Sequence, residues 1–432
     1  MPKPVRHLLL LGLLAALLCA CNLPAILTLT LTPTSPPPAR LAPASPPPAA
    51  RPTIAPTIAP TIAPALAPTL TAAPPLNLSQ IHMLTSTQGW GWTSPDGLNV
   101  LLLRTSDGGQ HWQNISPRGN YSYSSSFFLD DQQAWLSFFD STANNGGLLH
   151  TSDGGQTWTS LPGTQISQTV WLQFSSPTTG LAETAGMGAG NAYLNYYQTQ
   201  DGGASWSPVP LLGPNPAPDQ APGTLHLCNI CGDSLYYDSA HLLIAYGDMA
   251  SDPTGSLRLA TSSDLGQHWL SQKIPLPKKY AGASVMPFSP SFFASKGLLP
   301  VSLTQSKPDG SLSFSVLLLY TTQDGGKTWQ PAPAALESPQ PQVEAPQLIS
   351  PNDAFVRCGP NLCATHDAAQ TWQQLPASLN FDLNAGGPEP VFQYTFIDPA
   401  NGWALTGQPG SSTSLWRTTD GGQTWQKIPA SN

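Results

Sequence analysis

The chain has 432 residues, with 16 Lys and Arg against 24 Asp and Glu, a formal net charge of −8, and 48 prolines. That acidic balance argues against nucleic acid or anionic lipid as a partner. Beyond the first 20 residues no apolar run approaches the length of a membrane-spanning helix.

Taken in chain order, residues 1–20 read as an export signal: Lys3, Arg6 and His7, then the apolar run Leu8–Leu18. Leu18-Cys19-Ala20-Cys21 resembles a bacterial lipobox with cleavage before Cys21, which would carry the lipid and hold the protein at the outer face of the cell membrane. Residues 21–76 form a Pro/Ala/Thr-rich linker, with three copies of Thr-Ile-Ala-Pro at 53–64. Such a tract cannot build a core and is expected to be disordered, in extended polyproline-like conformations. At about 3.1 Å per residue its low-complexity part reaches roughly 130 Å.

From residue 77 the chain repeats. The pattern Ser/Thr-x-Asp-x-Gly-x-x-Trp recurs seven times, with its aspartates at Asp107, Asp153, Asp201, Asp264, Asp324, Asp367 and Asp420. Their separations run from 43 to 63 residues, a period that marks supersecondary units unable to bury their apolar faces alone. Each copy reads as a tight turn between strands. The Asp and the first hydroxyl accept backbone N–H groups, the fifth-position Gly permits positive φ, and the Trp fills space between sheets. The sixth copy, Thr365–Trp372, has Ala368 and Ala369 where glycines are usual, and its turn is expected to be distorted. A second element, an apolar residue, a polar turn and then Gly-Trp or similar, precedes each turn: Met83–Trp92, Phe128–Trp135, Phe174–Leu181, Leu348–Phe355 and Phe396–Trp403, with weaker forms near Tyr237–Ala245 and Phe292–Val301. Two strands from each element give four per unit. Seven units over 77–432 predict an all-β, seven-bladed propeller of four-stranded antiparallel blades.

The signature resembles the Asp-box, or BNR, repeat of sialidases, sortilin-type receptors and xyloglucan hydrolases. The pairing of the two elements looks most like the photosystem II stability and assembly factor group and its bacterial lipoprotein relatives. The resemblance implies that the signature turns lie opposite the binding face, so that the seven aspartates are structural and the seven terminal tryptophans are core. It implies a non-enzymatic scaffold that engages a membrane or exported protein, with a carbohydrate-binding or glycoside-hydrolase-like propeller acting on surface glycan as the alternative. Sialidase chemistry needs three converging arginines; after residue 76 the chain has Arg104, Arg118, Arg258, Arg357 and Arg417, and it lacks the Phe/Tyr-Arg-Ile-Pro segment. Arg104 and Arg417 stand three residues before their turn Asp, on a strand face where other units have His, Gln, Thr or Ala. No serine elbow, phosphate loop or HExxH is present. No cofactor or metal is expected, and the chain is expected to be a monomer.

Cys228 and Cys231, and Cys358 and Cys363, form two short-range pairs that read as local disulfides in an exported protein. A redox-active pair or a four-cysteine zinc site are the alternatives. The polar loops at 118–123, 140–147, 186–197, 247–255, 306–310 and 406–414 are candidate binding segments. Arg118, Tyr121, Tyr123, Tyr193, Tyr196 and Tyr197 are the residue types found at recognition hot spots, although tyrosines packed between blades would serve the fold instead.

Overall fold

A computed structural model describes residues 77–432, except 95–99, 120, 141–144, 162–165, 167–168, 189–190, 210–232, 239–241, 248–255, 265–267, 339–343, 377, 383–388, 409–412 and 429–432. Seven antiparallel sheets follow one another along the chain, each built from consecutive strands. In the first blade the strands are Leu78–Met83, Gly89–Thr93, Leu101–Thr105 and Gln113–Asn114. Blades 2, 3 and 4 occupy 121–161, 169–208 and 233–275; blades 5, 6 and 7 occupy 284–337, 347–374 and 391–427. Six sheets have four strands. The fifth departs from the expected count, with two further short strands, Ser291–Phe293 and Leu336–Glu337. Its two central strands, Lys296–Ser306 and Leu312–Thr322, run to 11 residues, and its first and last strands each pair with them in two pieces. Pro290 and Pro333 stand at the breaks, where proline removes a ladder donor.

Because every blade is an antiparallel run, the Asp-box turns join third to fourth strands on the same rim as the turns joining first to second. The opposite face carries the second-to-third loops and the blade-to-blade connections. Among the described residues no helix is long and apolar enough to cross a membrane.

Each seam between neighbouring blades has its own apolar cluster, two of them at the seam of blades 5 and 6, so the core is divided among the seven seams rather than held at one centre. The two recurring sequence elements meet there. Trp135 of blade 2 stacks on Phe174 of blade 3 at 3.8 Å, and Phe355 of blade 6 stacks on Phe396 of blade 7 at 3.8 Å. In both, the residue after the alanine that stands in the glycine position of one unit packs on the apolar residue that opens the next.

The ring closes without a shared blade: the last sheet is made only of residues 391–427 and the first only of 78–114. Closure rests on side chains. Gln393 accepts from Ile81 N at 2.8 Å and donates to Ile81 O at 2.9 Å, while Trp403 Nε1 donates to Gly108 O at 3.0 Å. Gln347 makes the same two-way bond from blade 6 to Phe396 N and Tyr394 O of blade 7.

The sixth turn corrects the expectation of a distorted box. Ala368 and Ala369 take the left-handed conformation at φ 58° and 59°, where the first box has Gly108 and Gly109 at 79° and 98°. The box bonds are intact: Thr365 Oγ1 donates to Asp367 at 2.9 Å and accepts from Ala369 N at 2.9 Å. Space explains the tolerance. A methyl on Gly155 would meet Ile115 of the preceding blade at 2.6 Å, and one on Gly203 would meet Leu148 at 2.8 Å and Leu161 at 3.3 Å. The residue three after the box Trp, Ile115 or Leu161 in those blades, is Ala332 in blade 5. The buried Ala369 methyl packs in one cluster with Leu319, Ala332 and Ala354. Ala332→Ile is therefore expected to overpack the seam and cost about 1–3 kcal/mol. Adding Ala369→Gly should restore most of that loss, a coupling that chemical denaturation of the two single variants and the double variant would expose; additive losses would contradict the size-exchange account.

Candidate functional site

The Asp-box carboxylates are consumed by their own turns. In the first box Asp107 Oδ1 accepts from Thr105 Oγ1 at 3.0 Å and His111 N at 2.9 Å, and Oδ2 contacts His111 Nδ1 at 2.5 Å. The others repeat this with Thr157, Ser205, His268, Thr328, Thr371 and Thr424 in the place of His111. Thr105 Oγ1 in turn accepts from Gly109 N at 2.9 Å. The Ser205 hydroxyl and N–H hold Asp201 down to about 2. Bonds led by the N–H of His268 and of Thr328 hold Asp264 and Asp324 to about 2 as well, and hydroxyl and N–H bonds led by the Thr371 side chain hold Asp367 low. At Asp107, Asp153 and Asp420 burial pushes the carboxyl up, but the turn's hydrogen bonds outweigh it and the shift is downward.

A carboxylate held low when folded stabilises the fold above its unfolded pKa of about 3.9, and that contribution is lost as pH falls through the folded value. The urea midpoint is therefore expected to hold steady from pH 7 to about 5, then drop between about 4 and 2. A midpoint flat to pH 2.5 would show that the boxes contribute nothing through ionisation.

Four of the seven box tryptophans, Trp112, Trp206, Trp329 and Trp425, are buried and donate Nε1 to the carbonyl of the fifth-position glycine. Trp269 is also buried. Trp158 and Trp372 are half-buried, but each also packs against a seam cluster. Trp158 donates instead to Ile115 O at 2.8 Å.

The tyrosines proposed for the loop face stand on strands. Tyr121 and Tyr123 belong to the strand Tyr121–Phe128. Tyr121 packs on Phe138 at 4.6 Å and Tyr123 on Trp92 at 5.1 Å, in the seam of blades 1 and 2. Burial, with the neighbouring Tyr121, pushes the Tyr123 hydroxyl up to about 12. Tyr193, Tyr196 and Tyr197 lie in the strand Asn191–Thr199. Tyr196 is buried in the cluster between blades 3 and 4, so its place as a binding residue is corrected. Tyr197 packs against the cluster between blades 2 and 3. A strand with a blade on each face turns successive side chains into opposite seams, so adjacent tyrosines leave the surface in opposite directions. The Tyr193 side chain lies outside the described residues. Arg118 is exposed in the connection from blade 1 to blade 2. Cys21, Cys228 and Cys231, and residues 141–144, 189–190, 248–255 and 409–412 of the candidate loops, are also outside the described residues.

The described part of the loop face is organised by an arginine that the sequence reading counted but did not single out. Arg357 is the next-to-last residue of the second strand of blade 6, Ala354–Cys358, beside a hairpin closed by the Cys358–Cys363 disulfide. Its Nε meets Glu344 Oε2 at 2.6 Å, and Nη1 donates to Phe381 O at 3.0 Å and Val391 O at 2.5 Å. The guanidinium lies 5.1 Å from the Tyr394 ring centroid and 6.0 Å from that of Phe381. Burial and the Glu344 charge push the Tyr394 hydroxyl up, against the pull of Arg357. Arg357 thus ties the connection entering blade 6 to the connection entering blade 7. The arginine beside the Cys-x4-Cys hairpin was visible in the sequence, but its partners are 13, 24 and 34 residues away. Among the described residues no group of three His, Cys, Asp or Glu side chains could hold a metal ion.

These features define a seven-bladed β-propeller built on Asp-box repeats. The BNR/Asp-box repeat profile matches residues 320–331, the fifth copy. Solved structures share the fold at low identity. YCF48 bound to a D1 peptide is 18% identical with a TM-score of 0.44, covering 82% of this chain and 94% of that one. YCF48 from Cyanidioschyzon merolae is 16% identical with a TM-score of 0.32, covering 85% and 88%. An ulvan lyase of polysaccharide lyase family PL25 is 11% identical with a TM-score of 0.47, covering 81% and 94%. No curated protein matches the chain.

Proposed function

We propose that this protein is a non-enzymatic binding and assembly module, held outside the cell membrane by a lipid on Cys21 and the 21–76 linker, that engages a membrane or exported protein through its loop face. The observation that carries this reading is the Arg357 clamp. It fixes two connections and a disulfide-closed hairpin into one pre-ordered surface, which lowers the entropic cost of docking. The seven box carboxylates, engaged in their own turns on the opposite rim, leave the loop face as the surface offered to a partner.

The test is affinity capture from native membranes with the full-length protein, analysing bound protein and bound glycan together. One defined membrane or exported protein should be recovered, and its yield should fall at least tenfold when Arg118→Glu and Lys307→Glu reverse two exposed positive charges of the loop face, Lys307 lying in the 306–310 loop of blade 5. Enrichment of polysaccharide without stoichiometric protein would overturn the proposal in favour of the carbohydrate-active alternative.

A further inference from the structure

The repeats allow two equivalent arginines to be compared. Arg104 of blade 1 and Arg417 of blade 7 occupy the same position, and each reaches over the tryptophan of its own blade, Trp90 at 5.9 Å and Trp403 at 5.1 Å. Each guanidinium then lies against the Asp-box glycine of the following blade, Gly154 or Gly108. At the first seam a carboxylate meets it: Asp131 Oδ2 stands 3.4 Å from Arg104 Nη2. At the closing seam the corresponding residue is Ser86.

The hydrogen bonds verify that register. Asp130 Oδ1 accepts from Gln132 N and Gln133 N, as Thr85 Oγ1 accepts from Thr87 N and Gln88 N. Gly154 N donates to Gln132 O, as Gly108 N donates to Thr87 O. Among the described residues Arg417 has no ion-pair partner, and its Nε is buried without an acceptor. Beside it is an open crevice of about 200 Å³ lined by Gly108, Gln110, Arg417, Thr419, Gln426 and Lys427. Arg417 is its cation; the Lys427 ammonium lies over the Trp416 ring at 5.9 Å, on the face of blade 7 turned toward blade 6. The carboxylates adjacent in sequence, Asp107 and Asp420, are bound by Thr105 and His111 and by Thr418 and Thr424.

We propose that this closing-seam crevice binds a carboxylate supplied from outside the chain, in the role that Asp131 fills for Arg104. The guanidinium, fixed over Trp403, presents a planar donor edge matched to a carboxylate. Gln110, Thr419 and Gln426 add polar side chains around it. The ligand is either a free organic acid or an acidic side chain of a protein partner. The site is on the Asp-box rim, so its failure and the failure of the loop-face proposal are independent.

The test is thermal unfolding of the full chain against succinate, its neutral analogue succinamide, and a short Asp/Glu-rich peptide. Succinate should raise the midpoint saturably, succinamide should not, and Arg104→Met should leave the response unchanged. Arg417→Met should weaken binding at least tenfold. Because that variant also disturbs the seam, Ser86→Asp is the decisive one: it keeps Arg417, supplies the missing carboxylate in cis, and should abolish the succinate response while the protein stays folded. Peptide binding at least tenfold tighter than succinate would assign the carboxylate to a protein; equal affinity would assign it to a free acid. No saturable response to either probe, or a response that Ser86→Asp leaves intact, would overturn the proposal.

Discussion

Trp403→Ala is expected to cost about 3–5 kcal/mol, the range for removing a large aromatic from a packed core. Trp403 is fully buried, packs with Met83 and Leu405 in the closing seam, and donates to Gly108 O. Its loss also removes the ring under Arg417. The effect should be local as well as large, because no strand is exchanged between the first and last blades. Hydrogen exchange should show the amides of 78–114 and 391–427 losing protection before those of blades 3 to 5. Trp158→Ala, at a half-buried box position, should cost less than half as much. Equal losses, or protection lost uniformly around the ring, would show that closure does not depend on this seam.

Arg357→Met should cost about 2–4 kcal/mol, since it strips a charged donor from two backbone carbonyls and removes the ion pair with Glu344. The Arg357 side chain is 10% exposed and that of Glu344 39%, so solvent screens the pair and the figure stays below that for a fully buried ion pair. A double-mutant cycle with Glu344→Gln isolates the ion pair and should show a coupling of about 0.5–2 kcal/mol. On the loop-face reading, Arg357→Met also lowers partner capture, because the two connections lose their common tether. Capture unchanged in a variant that is destabilised but folded would separate the clamp from binding.

The seven boxes, the preceding Gly-Trp elements and the blade count were legible because each depends on residues within about ten positions. Thr105, Asp107, Gly109 and Trp112 make their turn among themselves. The sixth box shows the limit of that locality: whether Ala369 fits is decided by Ala332 in the blade before it, which the box pattern does not contain. Which tyrosines pack between blades is a second limit: the strand Asn191–Thr199 places Tyr196 in the cluster between blades 3 and 4, and that follows from strand pairing rather than from the polar, glycine-rich composition of the stretch.

By itself the sequence determined the repeat, the seven-fold count and the structural use of the aspartates, because hydrogen bonds across a short turn are specified by the residues of that turn. Only the tertiary structure decided which side chains close the ring, that Arg357 binds the loop face together, and that Ser86 stands at the closing seam where Asp131 pairs with Arg104 at the first. Those contacts join residues tens to hundreds of positions apart, and which groups meet is fixed by the packing of one blade on the next, which no local pattern encodes.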